Sequence, residues 1–335
     1  MKKFIAAALC AATAMCCSIG FSACGSETDE ITMYMPDGAP ALAAAMLMSE
    51  DTDLGADVTY NVVDSSLITS YVTGDEPEAD VCILPLNAAA QKLGTGETYQ
   101  LLGTVTHGNL YIVSKTETTE ITAANLSSLV GKTVGVVQLT AVPGLTFEVI
   151  LNDNDIDYNI VGNDGSTSDT AVNLVAMSAA SDVSSYDYDY YVIPEPAMSN
   201  LTGKMAALTC VGSLQTLYGS EGGYPQAVLV AKTELIQSNP DFITALTSAI
   251  ETAADWLTLE TTSMDTVVSA ISGHLTEGLS PTFTAANLSA AVIQNCAIYF
   301  TSAADGKAEI TSFLSKYSAV SGTTYTVSDS FFYGA

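Results

Sequence analysis

Ile31-Thr32-Met33-Tyr34-Met35-Pro36-Asp37-Gly38-Ala39-Pro40 decides the fold class of this chain. The apolar run Ile31–Met35 has the length and residue types of a strand, and it stops at a Pro-Asp-Gly turn. Pro40 then opens an alanine-rich stretch, Ala41–Met48, at the helical position where its missing N–H costs nothing. The same sequence of strand, short loop and helix recurs outward from this point. Strand-length apolar runs lie at Val58–Val63, Val81–Leu84, Leu110–Val113, Val134–Val137, Tyr190–Ile193 and Ala227–Val230. Several are continuously apolar instead of alternating, which fits parallel strands covered on both faces.

Helical stretches separate them. Asn87 is placed to cap Ala88–Leu93, and Asn239-Pro240 opens a helix with Phe242, Ile243, Leu246, Ala249, Ile250, Ala253 and Leu257 on one stripe. Thr284 begins another through Leu288, Val292, Cys296 and Tyr299, and Ile310, Phe313, Leu314 and Tyr317 mark a last one. The class is α/β. The length of the chain calls for two lobes. Two crossing points are expected, at the polar run Ser114–Thr119 and the glycine-rich run Gly219–Gln226. They would build one lobe from residues 31–115 and 226–335 and the other from 116–225.

The N-terminal residues read as an export signal over 1–23: Met1-Lys2-Lys3, an apolar stretch from Phe4 to Phe21, then Ser22-Ala23-Cys24. Phe21-Ser22-Ala23-Cys24 resembles the bacterial lipobox, with Phe21 where that motif usually has Leu. The resemblance implies a lipid on Cys24 that anchors the chain to the outer face of the cell membrane without spanning it, and residues 24–30 then form a polar tether. Beyond residue 23 the chain has seven lysines, no arginine and 37 acidic residues, a net charge of −30. Nucleic acid is excluded as a partner, since phosphate binding needs clustered Lys and Arg. Without arginine no bidentate fork for sulfonate, phosphate or carboxylate exists. Helix N-termini and backbone amides could still hold an anion, so anionic ligands are demoted and, with several tyrosines, a neutral or cationic organic ligand is favoured.

Other chemistries find little material. Cys82, Cys210 and Cys296 each sit in an apolar run and read as buried hydrophobes, not as a disulfide or metal set. His107 and His274 are the only histidines, too few for histidine-based catalysis or a multi-histidine metal site. Gly131-Lys132-Thr133 lacks the upstream glycine of a phosphate loop, since Leu126 stands there. Asp153, Asp155 and Asp157 have calcium-loop spacing, but Tyr158 replaces the sharp-turn glycine and Asp164 the closing glutamate. No catalytic residue, metal or cofactor is assigned, and a monomer is expected.

In open parallel sheets, ligands bind beyond the carboxyl ends of the strands. The candidates are the residues that follow each run. Asp37 and Asn87 either meet a ligand or cap the helix after them. Glu195, between Pro194 and Pro196, and Gln138 either face a cleft or sit in solvated turns. His107 lines the cleft or is a satisfied core histidine, and Tyr224 stacks on a ligand ring or packs beneath a hinge. Gly38, Ser66, Leu139 and Gly223 belong to the same loops and complete the expected ligand-binding set.

The segments Met33–Pro40, Asp80–Asn87, Leu129-Val130-Gly131-Lys132-Thr133-Val134-Gly135-Val136 and Tyr191–Pro196 together resemble the solute-binding proteins of ABC importers, in the branch that takes nitrate, sulfonates, taurine and thiamine precursors. The resemblance implies a periplasmic-binding-protein type II fold with two hinge crossings, a ligand held between the lobes, and delivery to a permease with its ATPase. Two alternatives stand beside it: a ligand-sensing lipoprotein for a membrane kinase, and an enzyme on the same scaffold. Glu195→Ala and Asp37→Ala are expected to weaken binding without unfolding the protein.

Overall fold

Runs that are apolar on every position need cover on both faces, and the folded chain supplies it with two sheets, each flanked by helices. The computed structural model describes residues 30–49, 52–220 and 222–335. The export signal over 1–23, Cys24 and the tether up to Asp29 lie outside the described residues.

Along the chain, β1 (Ile31–Pro36), β2 (Val58–Val63), β3 (Val81–Pro85) and β4 (Tyr99–Thr106) enter the first sheet. The next six strands form the second: β5 (Leu110–Ser114), β6 (Thr133–Val137), β7 (Tyr158–Ile160), β8 (Val172–Met177), β9 (Tyr190–Pro194) and β10 (Thr209–Ser213). The chain then returns with β11 (Ala227–Lys232) and β12 (Ile298–Ser302) to the first. The first sheet runs β12-β4-β11-β3-β1-β2 and the second β10-β5-β9-β6-β8-β7. Parallel pairs β2/β1/β3 and β7/β8/β6/β9 form the heart of each. Antiparallel partners close the other side: β11 and β4 in one, β5 and β10 in the other. The α/β, two-lobed architecture expected from the apolar runs is the one observed.

Val81, Cys82, Ile83 and Leu84 are all fully buried, as a central strand requires. The long helix Pro240–Thr258 buries Phe242, Ile243, Leu246, Ile250, Ala253 and Leu257, and the Asn239 side chain accepts from the Phe242 amide at 3.2 Å.

Four features depart from the sequence reading. The outward crossing lies at His107–Asn109, not at Ser114–Thr119, because Leu110–Ser114 pairs with β9 and β10 in the second sheet. The helix begun near Thr284 covers only Ala290–Asn295, and Ala297 turns at φ 45° so that Ile298–Ser302 emerges as an edge strand. Its run of β-branched and aromatic residues favours that outcome. Asn87 does not cap a helix, since the helix already begins at Leu86 behind Pro85. Finally, the helix Ala303–Ser321 does not belong to the first lobe alone. It packs on the helix Val142–Asp153 of the second, where the Tyr317 hydroxyl donates to the Val142 carbonyl at 3.2 Å.

Candidate functional site

Parallel order sends the carboxyl ends of β1 and β3 in one sheet and of β6 and β9 in the other toward a common space. The loops that follow them line a cleft of about 540 Å³. Pro36, Asp37 and Gly38 come from the end of β1, Ser65 and Ser66 from beyond β2, and Pro85 and Asn87 from the end of β3. Gln138, Val142 and Pro143 follow β6, and Pro194 and Glu195 end β9. Both crossings pass through the floor: Asn109 and Gln226 line the cleft as well, and Thr282 reaches in from a distant loop.

The backbone at these points has local causes. Gly38 takes φ 108°, a region L side chains avoid, which turns the chain out of β1 directly into a helix. Gln138 adopts φ 51° and breaks β6 sharply, so that the helix Val142–Asp153 starts at the cleft with no side-chain cap.

Six of the ten expected residues line the cleft: Asp37, Gly38, Ser66, Asn87, Gln138 and Glu195. The other four do not, each for a packing reason. Leu139 is buried in the apolar core with the helix behind it. His107 is 1% exposed and stacks flat on Tyr299, ring centroids 3.5 Å apart. Burial pushes its pKa down from 6.5 to about 3, with the Ala297 carbonyl acting in the opposite direction, so the ring is neutral at physiological pH. Tyr224 is fully buried among Tyr218 and Phe313, and burial holds its phenol well above the ordinary range. Gly223 lies on the far side of the crossing, where its amide plane passes so close to His107 that a Cβ would sit 2.1 Å from that carbonyl oxygen.

The two carboxylates of the cleft are already engaged. Asp37 accepts from the Gly38 amide (Oδ1, 2.8 Å) and the Thr282 amide (Oδ2, 2.6 Å), and so ties the Thr282 loop to β1. Glu195 is 3% exposed and accepts from the Ser199 hydroxyl (2.6 Å), the Asn295 side-chain amide (2.7 Å) and the Ser199 backbone N–H (3.1 Å). Ser199 is on the second lobe and Asn295 on the first, and the Tyr111 hydroxyl donates to the Asn295 carbonyl at 2.9 Å. Glu195 thus bonds from the second lobe to the first. Truncating either acid leaves its donors without their acceptor, so Glu195→Ala and Asp37→Ala are expected to cost some stability as well as binding.

Sequence reading missed Asn109, Gln226, Thr282 and Asn295. Asn109 and Gln226 stand at the ends of the two crossing loops, and their polarity beside apolar strands was the available signal. Gln226 donates Nε2–H to Asn109 Oδ1 at 3.0 Å, and Asn109 donates to the Glu195 carbonyl at 3.4 Å. Gln226 Oε1 and Asn87 Oδ1 are buried without a hydrogen-bond partner among the described residues. The lining holds two acids and no lysine. No group of metal-ligating side chains occurs among the described residues, and no described helix is long and apolar enough to cross a membrane.

No family model matches the chain, and no curated protein does. Solved structures do. An ABC transporter from Parabacteroides distasonis superposes with a TM-score of 0.70 at 19% identity, over 90% of this chain and 98% of that one. The ligand-binding component of an ABC-type import system from Staphylococcus aureus, solved with zinc bound, gives 0.56 at 13% over 91% and 98%. A putative periplasmic sulfonate-binding protein of an ABC transporter from Methylobacillus flagellatus gives 0.56 at 14% over 90% and 89%. At this identity what is shared is the fold, and that fold is the two-lobed α/β architecture of ABC-transporter solute-binding proteins.

Proposed function

We propose that this chain is a lipid-anchored, extracytoplasmic solute-binding receptor. It takes a small neutral or cationic organic molecule between its lobes and hands it to the permease and ATPase of an ABC importer. The observation that carries this reading is the convergence of loops from both sheets, and of both crossings, on one cleft. A hinge at two short crossings permits open and closed states, and a ligand that touches both walls favours the closed one. The residues proposed to meet it are Asp37, Gly38, Ser66, Asn87, Gln138 and Glu195 from the sequence reading, joined by Asn109 and Gln226. The charge of the lining supports a neutral or cationic ligand, because an oxyanion would enter beside Asp37 and Glu195 with no basic side chain to meet it. The lipid belongs on Cys24.

Thermal-shift screening of the purified chain against a broad metabolite panel tests the receptor reading. A ligand held only by the folded state raises Tm, by about 2.7 kcal/mol of stability at a hundredfold excess over Kd. If no compound shifts Tm and none co-purifies in native mass spectrometry, the reading is wrong. Metabolic labelling with an alkynyl fatty acid tests the anchor separately, with label expected on the wild type and absent from Cys24→Ala.

A further inference from the structure

We infer that Gln138 is the side chain through which a bound solute draws the second lobe onto the first, and so the residue that decides whether the cleft closes. This rests on the reading of the cleft as the solute site and names what controls its closure. A solute shifts two lobes toward a closed state only through contacts it gains there with both walls. The first lobe offers a choice of polar side chains, among them Ser65, Asn87 and Thr282. On the second lobe the choice is narrow. Leu110, Ala141, Val142, Pro143 and Pro194 are apolar. Glu195 is 3% exposed, with its carboxylate held by Ser199 and Asn295. Asn109, on the crossing, is bonded to Gln226 and to the Glu195 carbonyl. Gln138 remains: an exposed residue of the lining whose side chain makes no hydrogen bond among the described residues.

Its backbone is held where glutamine is a poor occupant. A φ of 51° is left-handed, a region that glycine enters freely and that strains other residues. The turn requires this bend and fixes it. The Gln138 amide donates to the Met177 carbonyl at 3.1 Å, and the Gln138 carbonyl accepts from the Ala141 amide at 2.9 Å. Leu139 then passes so close over the first turn of the helix Val142–Asp153 that a Cβ on Gly144 would lie 1.7 Å from the Leu139 carbonyl oxygen. The fold alone would be served better by glycine here, as it is by Gly38 on the opposite wall. Glutamine in this position loses stability to strain and gains no hydrogen bond from the chain in return. Its amide, with one acceptor and two donors, is left for a partner that comes from outside.

Gln138→Gly tests this, because a structural role and a solute-binding role move stability and affinity differently. The substitution removes the side chain and relieves the left-handed strain, so the solute-free Tm of the full chain in detergent should hold or rise. A fall of more than about 2 °C means that the side chain supports the fold, and overturns the inference. Affinity is read by titration calorimetry with myo-inositol, uridine, choline and putrescine, and with the compound of the metabolite panel that raises the wild-type Tm most. For the tightest binder of these, Gln138→Gly should weaken binding at least about tenfold. Small-angle neutron scattering with the detergent contrast-matched should show the wild type contracting at saturation and the variant keeping its solute-free radius. A smaller loss of affinity, or a variant that contracts as the wild type does, overturns the role of Gln138 and leaves the receptor reading standing. If no compound binds the wild type, the receptor reading fails first, and this inference with it.

Discussion

Unpaired buried polar atoms occur at two places among the described residues, and their surroundings differ. Asn87 Oδ1 and Gln226 Oε1 belong to half-buried residues that line the cleft, though neither oxygen is itself exposed to it. At the crossings, His107 Nδ1 and the Tyr224 hydroxyl are equally without partners, but aromatic rings pack over them: Tyr299 on His107, Phe313 and Tyr218 on Tyr224. The Tyr224 hydroxyl lies beside the Asn109 and Leu110 amides yet bonds to neither. The same local deficit therefore has two meanings. Beside the cleft, a turn of a half-buried side chain can give the oxygen a partner. Where packing closes over it, the deficit is a cost of a tight hinge, offset by aromatic burial and stacking.

The comparison can be broken at either end. The largest effect is expected at Gly223→Ala. Its φ of 110° and the 2.1 Å approach to the His107 carbonyl leave no room for a methyl group. A loss of about 3 kcal/mol in urea unfolding is expected. If stability is unchanged, the crossing is looser than its packing implies.

His107→Leu addresses the pH dependence. The unfolded histidine titrates near 6.5 and the folded one near 3, so the unfolded chain takes up the proton first as pH falls. The stability contributed by the neutral ring is fully present above pH 6.5 and lost between pH 6.5 and 3, at about 1.4 kcal/mol per unit. The wild type should thus lose about 2 kcal/mol relative to the leucine variant between pH 7 and pH 5. Parallel profiles would show that the ring is protonated in the folded state. A ligand affinity unchanged at pH 7 would keep His107 outside the site.

Tyr317→Phe removes the donor to Val142 and the partner of the Thr146 hydroxyl, where the last helix bridges the lobes. About 1 kcal/mol of stability should be lost, and affinity should rise or fall with the closure equilibrium. Tyr224→Phe is the smallest test. Deleting a hydroxyl that bonds to nothing should leave stability within about 0.5 kcal/mol of the wild type or raise it, and a loss above 2 kcal/mol would reveal a partner.

Legibility in the sequence followed the kind of signal. Strands buried on both faces announce themselves by continuous apolar runs, and Val81–Leu84 and Val134–Val137 were plain. Tyr99–Thr106 and Thr209–Ser213 were not, since threonine, glycine and glutamine interrupt them. In the structure neighbouring strands complete their ladders. Ile298–Ser302 was hidden for another reason: Leu288, Val292, Cys296 and Tyr299 keep helical spacing across a break that only the φ of Ala297 makes. Asp37, Asn87 and Glu195 stood out because loops after parallel strands are where ligands bind. Their hydrogen bonds did not, because Thr282 and Asn295 lie far along the chain from the groups they meet.

By itself the sequence determined the α/β class, the charge of the surface, the absence of any arginine fork and the loops from which a site must be drawn. Those are properties of composition and short-range pattern. Only tertiary structure decided which loop residues line the cleft, where the outward crossing falls, and which way the Gln226 amide turns. Each depends on a partner contributed by a remote segment, such as the Glu195 carbonyl that turns Asn109 and through it Gln226. Hydrogen-bond direction is a property of the assembled network, and no single stretch of chain contains it.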